Sequence, residues 1–91
     1  MTCVVILPAP LRDSVGGLSS LEVQGETVGA VLSELGRRYK PLLDKVCGPD
    51  GNLKSSVNVY VNERDIRRLS GLDTAVEDGD EVILVPAIAG G

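Results

Sequence analysis

Histidine, tryptophan and phenylalanine are absent from this 91-residue chain, and Tyr39 and Tyr60 are its only aromatic residues. Without histidine, the commonest general base and the usual activator of a serine or cysteine nucleophile are missing. Without interleaved aromatic and basic residues, there is no platform on which bases could stack. Thirteen acidic residues against nine basic ones give a net charge of −4, which repels a polyanionic partner. A nucleic-acid-binding role is therefore excluded as an expectation.

Cys3 and Cys47 are the only cysteines. They lack CxxC spacing and have no companion histidine, so the sequence offers no metal ligand set. Two reduced thiols are expected rather than a disulfide, as in a cytoplasmic protein. No apolar run approaches the roughly 20 residues of a membrane span. The opening "MTCVVILPAP" has neither the basic lead nor the apolar length of a secretory signal. "GPDGNLKSS" lacks P-loop spacing and a preceding strand, and the acidic residues of "GLDTAVEDGDEV" do not form an EF-hand ladder. No cofactor is expected to bind, and nothing here makes a self-sufficient enzyme.

What the chain does have is aliphatic. Hydrophobic residues make up 43%, supplied by Val, Leu, Ile and Ala, enough for one folded domain over residues 1–91 and too little chain for two. "TCVVILP" reads as a buried strand, with Cys3, Val5 and Leu7 on one face and Val4 and Ile6 on the other. "PAPLRDSVGG" reads as a loop, and "LSSLEVQG" as a second strand with Leu21 and Val23 inward, suggesting a hairpin. Val28, Val31, Leu32, Leu35 and Tyr39 share a helical stripe, which Thr27 would cap and Pro41 would stop. Gly29 and Gly36 weaken that helix, so packing on a sheet is expected to hold it.

"PLLDKV" is read as a further helical turn, "VNVYVN" as a strand with Val57, Val59 and Val61 on one side, and "ERDIRRL" as a short edge strand. Asp78, Gly79 and Asp80 supply a tight turn before the last strand, "EVILVPAI". One helix cannot cover both faces of such a sheet. The expectation is an α+β layout, a mixed sheet of four to five strands on one main helix.

The strand order, the "DGDEV" turn and the ending "PAIAGG" together resemble the ubiquitin-like sulfur carriers of the MoaD/ThiS family, over essentially the whole chain. "LPAPLRDSVGG" and "VNVYVNERDIRRLSGLDTAVEDGDEVILVPAIAGG" look most like the CysO-type branch that serves cysteine biosynthesis in actinobacteria. The resemblance implies the β-grasp fold and a role as a protein co-substrate. In the family, a MoeB/ThiF-like enzyme uses ATP to adenylate the C-terminal carboxylate, which is then converted to a thiocarboxylate. Gly91 would carry that group.

Ala89, Gly90 and Gly91 would form the tail that enters the partner's active site. Glycine there admits close backbone approach and backbone angles closed to other residues. For the cysteine branch, the implied acceptor is a pyridoxal-phosphate cysteine synthase, and a metalloprotease releases the cysteine afterwards. A molybdopterin synthase small subunit, a sulfur donor to secondary metabolites such as thiosugars, and a ubiquitin-like protein modifier stand as alternatives. If the first and last strands are neighbours, as the β-grasp implies, Val4, Ile6, Ile83 and Val85 cluster on the face away from the core. Clustered exposed apolar groups mark a docking patch.

Overall fold

The alternation of β1 (Thr2–Ile6) is borne out: Cys3 and Val5 are fully buried while Thr2, Val4 and Ile6 are partly exposed. The structure, a computed structural model, describes residues 1–50 and 52–86. β1 pairs antiparallel with β2 (Ser20–Gln24), aligning Cys3 with Val23 and Val5 with Leu21. The inward sets of the two strands therefore lie on one face, as the hairpin reading required.

The connection between them differs from the expected loop. Residues Ala9–Arg12 form a short helix, α1, followed by a 3₁₀ turn at Asp13–Val15. Pro10 lies in the first turn, where its missing N–H costs no hydrogen bond. Leu11 and Val15 are four residues apart, so the turns bring both into the core, at 3% and 2% exposure. Gly16 and Gly17 then reverse the chain at φ 72° and 88°.

Helix α2 (Val28–Arg38) starts where expected: the Thr27 hydroxyl accepts from the Ala30 N–H at 3.1 Å. Val28, Val31, Leu32 and Leu35 are its buried stripe. Tyr39 leaves helical geometry at φ −135° and ψ 77°, and the chain then re-enters a separate helix, α3 (Lys40–Val46). Pro41 ends α2 as expected but starts α3, which buries Leu42 and Val46. A Cβ on Gly36 would run into the Leu43 side chain. That glycine is therefore the socket for α3, and two packed helices cover the sheet where one was expected.

β3 (Val57–Val61) lies between β4 (Arg64–Asp65) and β5 (Glu81–Pro86), giving the order β2-β1-β5-β3-β4. β1 and β5 are parallel and the other pairs antiparallel. Further 3₁₀ turns at Ile66–Arg68 and Gly71–Asp73 fill the crossover from β4 back to β5. The five-stranded mixed sheet, with α2 and α3 on one face, is the β-grasp arrangement of an α+β protein. Val5, Val23, Val28, Val31, Leu35, Val59, Val82 and Leu84 fill the space between sheet and helices.

The acidic turn before β5 acts as a clamp. Asp78 accepts from the Thr2 N–H at 2.7 Å, and Asp80 accepts from the Glu77 N–H and the Asn62 amide at 2.9 and 3.0 Å. Asn62 accepts in turn from the Glu81 N–H at 2.9 Å. Those bonds to the charged form hold the Asp80 carboxyl below its ordinary value. Asp78 and Asp80 are turn formers, as the sequence suggested.

Candidate functional site

Side chains alternate along a strand, so burying one face of β1, β3 and β5 against the helices turns the other face outward. The register decides what meets there. Ile6 of β1 lies opposite Ile83 of β5, and Ile83 lies opposite Tyr60 of β3. Ile6, Ile83 and Tyr60 therefore form one row across three strands, all partly exposed. One step along β5, Val85 lies opposite Asn58 and is 38% exposed.

The four patch residues named from the sequence all lie on this outer face, but they are not equivalent. Val4 lies opposite Glu22 on one side and Glu81 on the other, so carboxylates flank it where a purely apolar cluster was expected. Tyr60 belongs to the patch and was missed. Its outward orientation was legible in "VNVYVN", but its position beside Ile83 depends on the β3–β5 register, which no local pattern encodes.

The patch ends at a fixed basic group. Asp65 caps the 3₁₀ turn by accepting from the Arg67 N–H at 2.9 Å. The same carboxylate accepts from Arg67 Nε and Nη2 at 3.3 and 3.1 Å, and Asn58 Oδ1 accepts from Nη2 at 2.6 Å. The Arg67 side chain holds the Asp65 carboxyl below its usual range, while Asp65 pushes the guanidinium upward. Arg67 thus stands ordered at the edge of the outer face, beside the strand pair that carries Val85.

Neither thiol is placed for chemistry. Cys3 is in the core and Cys47 is half-buried at the end of α3; both are free cysteines. Burial pushes both thiols up, and the Asp50 carboxylate adds to the shift at Cys47. Each is therefore a poor nucleophile at neutral pH. Among the described residues, no group of His, Cys, Asp and Glu is arranged to hold a metal ion. No helix among them is long and apolar enough to cross a membrane. A groove of about 560 Å³ on the helical side has Leu32, Leu43, Cys47 and Leu72 in its wall, with Lys40 and Asp44 of α3 also lining it.

The tail residues singled out from the sequence, Ala89, Gly90 and Gly91, lie outside the described residues. The structure fixes where the chain departs. β5 is the central strand, bonded to β1 through Ile83 and to β3 as far as Pro86, which lies opposite Val57.

The model of the ThiS family matches residues 5–91. Sulfur carrier protein CysO of Mycobacterium tuberculosis is 42% identical over 93 residues, covering all of both chains. Its crystal structure superposes with a TM-score of 0.87 at 40% identity, covering 94% of this chain and 99% of that one. A structure of the BexX/CysO complex of Amycolatopsis orientalis gives a TM-score of 0.89 at 35% identity, covering 98% and 99%. Small archaeal modifier protein 3 of Haloferax volcanii is 43% identical over 65 residues, covering 71% of this chain and 70% of that one.

Proposed function

Since the chain belongs to the ThiS family, whose model matches residues 5–91, we propose that it is a sulfur carrier protein whose reacting group is the carboxylate of Gly91. The observation that carries this reading is the 42% identity, from end to end of both chains, with a sulfur carrier protein. A carboxylate resists substitution because its charge is delocalised and oxide is a very poor leaving group. Attack of the Gly91 carboxylate on the α-phosphate of ATP releases pyrophosphate and gives an acyl adenylate, from which AMP can leave. A sulfur donor displaces AMP, and the product is a C-terminal thiocarboxylate.

Within this scheme the protein is a co-substrate, and the ATP is bound by a MoeB/ThiF-like activating enzyme. The acceptor we favour is a pyridoxal-phosphate-dependent cysteine synthase, with a metalloprotease freeing the carrier for reuse. Docking would use the outer sheet face: Ile6, Ile83 and Val85, with Val4 at the border and Tyr60 added. Ala89, Gly90 and Gly91 would reach into the partner. The BexX/CysO complex of Amycolatopsis orientalis supports a carrier that binds a partner protein.

A second reading, as a protein modifier joined through Gly91 to lysines of other proteins, is favoured by the likeness to a small archaeal modifier. Intact-mass measurement of protein taken from its own cells separates the two. Replacement of one oxygen by sulfur, or an added cysteine, supports the carrier. Exclusive recovery of lysine-linked conjugates would overturn it.

A further inference from the structure

We propose that Arg67 is a preset anchor for a carboxylate on the activating enzyme, gripping an Asp or Glu of that enzyme beside the root of the tail. This deepens the sulfur-carrier reading and rests on it. Loading precedes every later transfer, so the activating enzyme is the partner that any such carrier must meet.

A guanidinium carries five N–H groups in a rigid fork. In Arg67 the Nε donor goes to Asp65, and the two Nη2 donors go to Asp65 and Asn58. The Nη1 donors have no acceptor among the described residues, and the side chain is 63% exposed. An exposed arginine normally samples many rotamers and loses that freedom on binding. Here three bonds to groups on two different strands, β3 and β4, have already fixed it, so little further freedom is lost when a partner engages Nη1.

The chemistry of the ligand follows from the surroundings. Asp65 offsets the charge of Arg67, but Arg64 and Arg68 stand nearby without an ion pair among the described residues. They line a cavity of about 510 Å³ with Tyr60, Glu63, Asp65 and Leu69. Counting Arg67 beside it, three guanidinium groups face two carboxylates, Glu63 and Asp65, which leaves one net positive charge. That local field favours a single carboxylate, whereas the overall charge of −4 disfavours a polyanion. The location suits a partner that takes the tail. Asn58, which holds Arg67, lies opposite Val85, and Val85 precedes Pro86 at the end of β5. A grip at Arg67 would therefore fix the position from which the tail departs. The exposed Val85 supplies an apolar contact next to it.

The test is pyrophosphate exchange with the activating enzyme of the same organism and ATP, with the carrier concentration varied. Arg67→Ala is expected to raise the KM for the carrier about tenfold or more with kcat unchanged. Arg67→Lys should not restore it, because an ammonium cannot hold Asp65 and Asn58 and still offer a free pair of donors. Asn58→Ala loosens the fork and should raise KM by a smaller factor. Arg64→Ala and Arg68→Ala remove the same charge without the fork and should change KM less than about threefold. A wild-type KM for Arg67→Ala or Asn58→Ala, or equal losses at Arg64 and Arg68, overturns the proposal while wild-type exchange leaves the carrier reading standing. Absence of exchange by the wild type overturns both.

Discussion

Ile83 and Leu84 are adjacent in β5 and point to opposite faces of the sheet, so the same substitution at each separates docking from folding. Leu84 is fully buried opposite Val59, while Ile83 is partly exposed between Ile6 and Tyr60. Leu84→Asp removes a core side chain, which costs about 2–5 kcal/mol in transfer and cavity energy. It also buries a carboxylate with no partner, which adds several kcal/mol unless the group takes up a proton. A domain of this size has about 5–14 kcal/mol of stability in total, so Leu84→Asp is expected to be largely unfolded.

Ile83→Asp places its carboxylate at the water-facing side and should cost about 1 kcal/mol. In a domain of 60–100 residues that corresponds to a fall of about 4–8 °C in Tm. In the complex the order reverses. A charge introduced into a desolvated contact costs about 2 kcal/mol or more, which is about a 30-fold rise in KM for the carrier in pyrophosphate exchange. Thermal melts and exchange kinetics on both variants make the comparison. Equal loss of Tm at the two positions refutes the face assignment. Wild-type exchange kinetics for a folded Ile83→Asp refute the docking role of the outer face.

Deleting Gly91, or adding one residue after it, should abolish exchange without shifting Tm, because each residue of extended chain moves the carboxylate by about 3.3–3.6 Å; normal exchange by the deletion would remove the basis for the carrier chemistry. The Cys3→Ser, Cys47→Ser double variant should still be thiocarboxylated as read by intact mass, and failure of a folded sample would place a thiol in the relay. Gly36→Ala, which in an open helix gains about 1 kcal/mol, should instead lower Tm because its Cβ meets Leu43. For Asp80 the folded carboxyl lies below its ordinary value, so the stability it contributes is present above the unfolded pKa of about 3.9 and is lost as pH falls through the folded value. Asn62→Ala should therefore narrow the fall in Tm as pH drops below about 4, measured against wild type.

The elements that could be read from the sequence are those whose cause is local. Period-two alternation in "TCVVI" and "VNVYV" fixed which faces are buried, and Thr27 ahead of the stripe from Val28 to Leu35 located α2. Where a proline intervened, the local signal misled once: Pro10 reads as a loop breaker, yet it sits in the first turn of α1, where proline is tolerated. Pro41 ends α2 as expected and opens the helical turn read over "PLLDKV". Gly36 reads as a weakness in α2 until α3 is folded back upon it. The candidate site divides in the same way. That Val4, Ile6, Ile83 and Val85 face away from the core follows from alternation. That Ile83 meets Ile6 and Tyr60, that Val4 meets Glu81, and that Asn58 holds Arg67 across nine residues of sequence all depend on register or on the turn after β4.

On the proposed sulfur-carrier reading, β5 joins the outer face to the C-terminal end of the chain. It is the middle strand of the sheet, parallel to β1 and antiparallel to β3, so neighbours on both sides fix its direction. Its outward side chains, Ile83 and Val85, form part of the patch, and its last described residue, Pro86, still lies opposite Val57. A partner that binds Ile83 and Val85 thereby binds the strand that continues toward Gly91, with no hinge among the described residues between the contact and the end of β5. From Pro86, five residues of fully extended chain reach at most about 18 Å. On that reading, the nucleotide of the activating enzyme lies within that radius of Pro86 once the outer face is seated. Distances of this size leave no room for a loosely held carrier, because a misplacement of about 1 Å at the reacting atom can already cost about 10²-fold in rate. A central strand bonded on both sides, an apolar row across it and the proposed anchor at Arg67 would together meet that requirement.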